Sequence, residues 1–171
     1  MGPRARFAFW AALLLGGAAL ALALDLRLFP SLLLNPLWHL ASLLAGLGLL
    51  TLVRRAAAVT GRTLARHGRQ GNLPRFETNR LVRKGPYACM RHPMHLALSF
   101  LPLAFGLILG SPSFVLLVWP LEVLLLWLFI RRVEEPEALR KFGEAYRRYM
   151  REVPAFNLRP DCLRRLFREE D

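Results

Sequence analysis

Apolar residues in this chain come in long uninterrupted blocks, not at the spacing of one helix face or one strand face. Phe7 to Leu24 carries no charge, nor does Leu28 to Val53. A third block runs from Pro93 to Leu121 and resumes from Val123 to Ile130 past a single acid, Glu122. A helix needs about 20 mostly apolar residues to cross a bilayer, so the pattern predicts spanning helices. The third block is long for one span and holds Gly110-Ser111-Pro112-Ser113 in its middle, a turn signal. Divided there, the chain has four expected spans, at residues 7–24, 35–53, 93–109 and 113–130. Gly16 and Gly17 offer a close approach to a neighbouring helix. Asp25, Arg27, Pro30, Asn35 and Pro36 mark a short polar turn between the first two spans. Pro102 and Pro120 predict kinks whose freed backbone groups neighbouring helices can satisfy.

Between the second and third spans lies a connector, residues 54–92, with ten basic residues and one acid, Glu77. Its Gly61, Gly68, Gly71, Pro74, Gly85 and Pro86 argue against one long helix. In the tail, residues 131–171, Leu139, Phe142, Tyr146, Tyr149 and Val153 recur at steps of three and four, an apolar stripe on an otherwise charged helix that Pro154 ends. Such a helix lies on the membrane surface or packs under the bundle. The expected fold is therefore all-α and integral to the membrane: a four-helix transmembrane bundle in one domain over residues 1–171, with a helical hairpin from helices three and four and a cytoplasmic amphipathic C-terminal helix.

Charge fixes the expected orientation. The chain has 24 Lys and Arg against 12 Asp and Glu, a net charge of +12. These residues flank the apolar blocks, where anionic head groups would meet them, so membrane lipids and not nucleic acid are the expected partners. Two basic residues precede the first span, one sits in the first turn, ten in the connector, none in the second turn and eleven in the tail. The positive-inside rule then places both termini and the connector in the cytoplasm. Arg4, Arg6 and Ala21-Leu22-Ala23 resemble a secretory signal, but the apolar run is long for one and a second follows at once, so a retained first helix is expected. Cys89 and Cys162 have no metal-type spacing; they read as two reduced thiols without a structural role, and no metal site is expected.

Two polar clusters stand at the membrane boundary: Gly85-Pro86-Tyr87 with Arg91-His92-Pro93, and Glu134-Glu135. If the hairpin turns near Pro112, antiparallel neighbours have numbers summing to about 225, which puts Arg91 level with Glu134 and His92 with Val133. A structural ion pair capping the hairpin and a ligand site both fit that meeting. Glu135 shares the stripe of Leu139, Phe142 and Tyr146, and an acid on an apolar face is costly unless paired or used. Carboxylate, arginine, histidine and tyrosine together suit a zwitterionic or cationic ligand, including a sulfonium.

Leu81-Val82, Gly85-Pro86-Tyr87, Arg91-His92-Pro93-Met94, Glu134-Glu135, Phe142-Gly143-Glu144, Tyr146, Tyr149 and Val153-Pro154, in that order and spacing, resemble the isoprenylcysteine carboxyl methyltransferase and phospholipid methyltransferase superfamily over residues 80–156. The resemblance implies a membrane methyltransferase that uses S-adenosylmethionine and a lipid-like or membrane-partitioned acceptor carrying a carboxylate, amine or thiol. It assigns Gly85, Tyr87, Arg91, His92, Pro93, Glu134 and Glu135 to cofactor binding, with Arg91 and Glu134 orienting cofactor or acceptor, and makes Arg140, Tyr146 and His95 catalytic candidates. Where the family has Tyr two residues after the motif proline and Gly two further on, this chain has His95 and Ala97. That departure leaves room for a different acceptor or for a degenerate member acting as a scaffold. A haem- or quinone-binding subunit using His39, His92 and His95 is the remaining alternative. Glu122 reads equally as a functional acid and as a neutral hydrogen-bonded one; His39 reads as an interfacial residue; Trp10, Trp38, Trp119 and Trp127 read as anchors and packing groups; Arg54, Arg55, Arg131 and Arg132 read as topology-setting charges.

Overall fold

A computed structural model of the chain describes residues 3–72 and 78–168; Pro74 and Glu77 of the connector lie outside them. Among the described residues every regular element is helical: α1 (Pro3–Leu28), α2 (Pro30–Leu33), α3 (Pro36–His67), α4 (Pro93–Leu98), α5 (Leu101–Leu109), α6 (Phe114–Glu152) and α7 (Pro160–Arg165). Three are long and apolar enough to cross a membrane: Ala5–Leu28 of α1, α3 and α6, at 24, 32 and 39 residues. The remaining expected span, Pro93–Leu109, is shorter and is interrupted at Ser99 and Phe100, so it is two helices. Leucines of the spanning helices point outward, among them Leu15, Leu44, Leu116 and Leu124, as lipid-facing side chains do.

Two helices run further than the charge pattern suggests. α3 continues past Arg54 to His67 because Ala56-Ala57-Ala58, Arg62, Leu64 and Ala65 are strong helix formers. α6 continues past Ile130 to Glu152 with a wider turn at Ile130–Glu134. Its last limb breaks at Gly143, whose φ of 55° and ψ of −130° suit glycine alone.

The residues form two compact units. The first holds residues 1–51 and 99–126. Its core is Ala18, Ala21 and Phe114, with Leu14, Phe105, Leu109 and Val118 around them. Gly17 allows close packing, since a Cβ there would stand 2.6 Å from Val118 Cγ1; at Gly16 it would meet nothing. Asp25 is not in a turn as expected. It lies inside α1, fully buried, where it accepts hydrogen bonds from the Ser113 amide (2.8 Å) and the Ser111 hydroxyl. Gly110 (φ 67°) ends α5, and its carbonyl accepts from Trp38 Nε1 at 2.9 Å. The turn expected at Gly110–Ser113 is thus held by α1 and α3.

The second unit holds residues 52–98 and 127–171. One cluster joins Ala56, Ala97 and Leu166. Another joins Tyr146, Tyr149 and Val153 to Leu81, Leu139, Phe142 and Met150, which is the apolar stripe expected of the tail. Cys89 and Cys162 form a disulfide, with Cα atoms 5.6 Å apart. This corrects the reading of two unlinked thiols. A pair 73 residues apart leaves no local spacing to read, and only the fold brings it together.

Candidate functional site

The site lies in the second unit and is built on backbone before side chains. Gly85, at φ 55°, starts a tight helical turn, Gly85–Ala88, that buries Tyr87. The Tyr149 hydroxyl donates to the Tyr87 carbonyl at 2.5 Å, holding that turn against α6. Three residues past the end of that turn, the amides of Arg91 and then His92 donate to the carbonyls of Pro154 (2.9 Å) and Ala155 (3.1 Å). Pro93 then opens α4 at a position where its missing N–H costs nothing.

Side chains converge on this frame. Arg91 donates from Nε (3.1 Å) and Nη2 (2.5 Å) to Glu135 Oε1, and from Nη1 to the carbonyls of Val153 (2.5 Å) and Met150 (3.3 Å). His92 places Nε2 3.3 Å from Glu135 Oε1 and Nδ1 3.9 Å from Glu134 Oε2. His95 Nε2 lies 3.1 Å from Glu134 Oε1. The two imidazoles meet edge to face at 5.7 Å. Arg91, His92 and Glu135 are buried, whereas His95 and Glu134 keep about a quarter of their side chains exposed (23% and 24%). The Tyr87 hydroxyl is buried with no hydrogen-bond partner among the described residues.

Burial decides the protonation states. It lowers the pKa of His92, helped by the charge of His95, and outweighs the upward pull of Glu134 and Glu135; the imidazole is neutral at neutral pH. Burial likewise raises the phenols of Tyr87 and Tyr149 and pushes Tyr146 up to about 12, with Glu135 adding to the effect and Arg91 opposing it. Tyr146 therefore stays protonated at neutral pH.

The two clusters expected to meet do meet, one residue out of register. Arg91 pairs with Glu135 instead of Glu134, and His95 takes Glu134. α6 carries wide turns at Phe114–Val118 and Ile130–Glu134, and the segment it pairs with is interrupted at Ser99 and Phe100, so a count that assumes two regular helices need not hold to the residue. Gly85, Tyr87, Arg91, His92, Pro93, His95, Glu134, Glu135 and Tyr146 all belong to this region. Arg140 does not share these contacts; its side chain is exposed on α6. The backbone carbonyls of Met150, Val153, Pro154 and Ala155 are the partners that sequence reasoning missed, because carbonyls leave no mark in a residue pattern. Elsewhere, His39 Nε2 bonds the Leu33 carbonyl at 2.8 Å. Glu122 is buried, with Oε1 lacking a hydrogen-bond partner among the described residues.

A family model described as phospholipid methyltransferase (PEMT) matches residues 37–145. No curated protein and no solved structure matches the chain.

Proposed function

We infer that this chain, which belongs to the phospholipid methyltransferase family, is an integral membrane enzyme that transfers a methyl group from S-adenosylmethionine to a lipid-like or membrane-partitioned acceptor bearing a carboxylate, amine or thiol. Family membership and three apolar helices support the coarse statement, a membrane methyltransferase. With residues 93–109 as a fourth crossing beside the three long helices, the distribution of basic residues supports placing both termini and the site on the cytoplasmic face.

The observation that carries the reading is the buried Arg91–Glu135–His92 cluster beside the unpartnered Tyr87 hydroxyl. A buried hydroxyl without a partner is costly, and a polar ligand would relieve it. The donor set fits a zwitterionic sulfonium: carboxylates for cationic centres, a hydroxyl and imidazoles for the carboxylate end. S-adenosylmethionine, when bound, supplies an electrophilic methyl group. The chain's own residues then do the positioning, which is most of the catalysis in a displacement. Gly85 and Pro93 set the backbone on either side of Tyr87, Arg91 and His92. Arg91 spends its donors on Glu135 and on two carbonyls, so it orients Glu135. Tyr146, protonated, donates a hydrogen bond. His92, neutral, takes a proton from an amine acceptor; a carboxylate acceptor needs no base. Arg140 would reach the acceptor from its exposed position only through movement of its long side chain.

The test is equilibrium binding of S-adenosylmethionine to detergent-purified protein, with Glu135→Ala and His92→Ala alongside. Saturable binding by the wild type and its loss in both variants is expected. No binding by the wild type, or equal binding by all three, sinks the assignment. Labelled cofactor supplied to membranes then identifies the fraction that gains the methyl group.

A further inference from the structure

We propose that His92, His95 and Glu134 form a binding site for a divalent transition-metal ion of the zinc type. Each offers one ligand atom, and the three atoms lie within 4.8 Å of one another. Ligands about 2.1 Å from a tetrahedral ion stand roughly 3.4 Å apart. His95 Nε2 stands 3.1 Å from Glu134 Oε1, close to that value, and His92 Nδ1 stands 3.9 Å from the other carboxylate oxygen, Oε2. A contraction of the three atoms from within 4.8 Å of one another closes the site.

The surroundings are those of a supported site. His92 directs Nε2 to Glu135, which leaves Nδ1 for the ion. A carboxylate behind a ligating imidazole fixes its tautomer and raises its basicity. Glu135 is itself held by two Arg91 donors, and Arg91 by the carbonyls of Val153 and Met150. His92 and His95 are fixed at the start of one helix, so two of the three ligands are preset. Two imidazoles and a carboxylate suit zinc, cobalt or nickel better than magnesium or calcium. Three protein ligands leave a fourth position open, as in catalytic zinc sites, and the partial exposure of His95 and Glu134 gives it access. A thiolate, an amine or water suits that position. The third ligand is His95, which stands where the resembled family has tyrosine.

The proposal goes beyond the methyltransferase reading and moves His92, His95 and Glu134 from cofactor or acceptor to the ion. Its test uses tag-free, chelator-stripped protein in detergent, titrated with zinc alone by calorimetry and with cobalt by visible absorption. One equivalent per chain and cobalt bands of tetrahedral type are expected. Glu135→Gln should weaken binding about 10- to 100-fold by loosening His92, and His95→Tyr and Glu134→Gln by more. His67→Ala, on α3, should bind as the wild type does. No stoichiometric binding, or equal loss in His67→Ala and His95→Tyr, overturns the proposal as adventitious surface binding. Glu134→Gln keeps the shape of the side chain, so it separates loss of a ligand from loss of fold. S-adenosylmethionine binding on the same samples keeps the two readings apart. Zinc bound without S-adenosylmethionine removes the methyltransferase reading alone, and the converse removes the metal site alone.

Discussion

Arg91→Ala tests whether the site is held by a buried ion pair or merely decorated by one. In the wild type the side chains of Arg91 and Glu135 are 9% and 11% exposed, and the guanidinium also satisfies the Val153 and Met150 carbonyls. Removing one partner of a buried pair leaves an uncompensated charge and costs about 3–5 kcal/mol. His92 remains beside Glu135 but is neutral, so it offers a hydrogen bond and no countercharge. We expect a loss of about 4 kcal/mol, the carbonyls adding little independently because the same charge serves all of them. The internal reference is Arg83–Glu152, whose side chains are 46% and 52% exposed; Arg83→Ala should cost no more than about 1 kcal/mol. The assay is equilibrium unfolding in mixed detergent micelles, followed by circular dichroism and tryptophan fluorescence. The double variant Arg91→Met/Glu135→Leu should recover most of the loss, since apolar replacement of both partners is often close to neutral. If Arg91→Ala costs no more than Arg83→Ala, or if the double variant is as unstable as the single one, the electrostatic account of the site is wrong.

Three further outcomes are expected. Cys89→Ser should lower stability by about 4 kcal/mol, the chain-entropy value for a crosslink spanning 73 residues, and reductant should do the same to the wild type but not to the variant. The lowered pKa of His92 means the unfolded chain takes up a proton first as pH falls. Its contribution to stability is therefore present above the ordinary imidazole value of about 6.5 and is lost as pH falls below it; His92→Gln should flatten that part of the pH–stability curve, and an unchanged slope would refute the assignment. Gly46→Ala should destabilise by about 1–3 kcal/mol, because its Cβ would stand 2.8 Å from the Ile108 amide and 2.9 Å from the Ala104 carbonyl; Gly16→Ala, with open space, should be neutral or slightly stabilising in the same equilibrium-unfolding assay.

Much of this architecture was legible because membrane helices write themselves in uncharged runs. The turn at Gly110–Ser113 and the stripe from Leu139 to Val153 were likewise visible from glycine, proline and periodicity. Helix ends were not, since in α3 the alanine-rich stretch after Arg54 overrides what the first charges suggest. Asp25 was misplaced for a related reason: an acid reads as a turn residue unless one knows that a serine-rich turn will supply its donors. The meeting of residues 91 and 92 with residues 134 and 135 followed from antiparallel counting, but its register did not, because a locally widened helix leaves no sequence signal. The closeness of His95 to Glu134 was not read in advance, because the counting paired only residues 91 and 92 with that end of the hairpin.

The disulfide has a use beyond stability. Cysteine oxidation follows compartment: the bacterial periplasm and secretory lumen close such pairs, while cytosolic thioredoxin and glutathione keep them open. Cys89 lies three residues before His92, and Cys162 lies in the tail, so the redox state of this one pair in living cells reports which side of the membrane the site faces. A pair found closed in cells, as it is in this structure, would argue for a site on the oxidising side, opposite to the one the basic residues favour. A pair found open would agree with the cytoplasmic orientation and leave the unoxidised protein to rely on its packing alone.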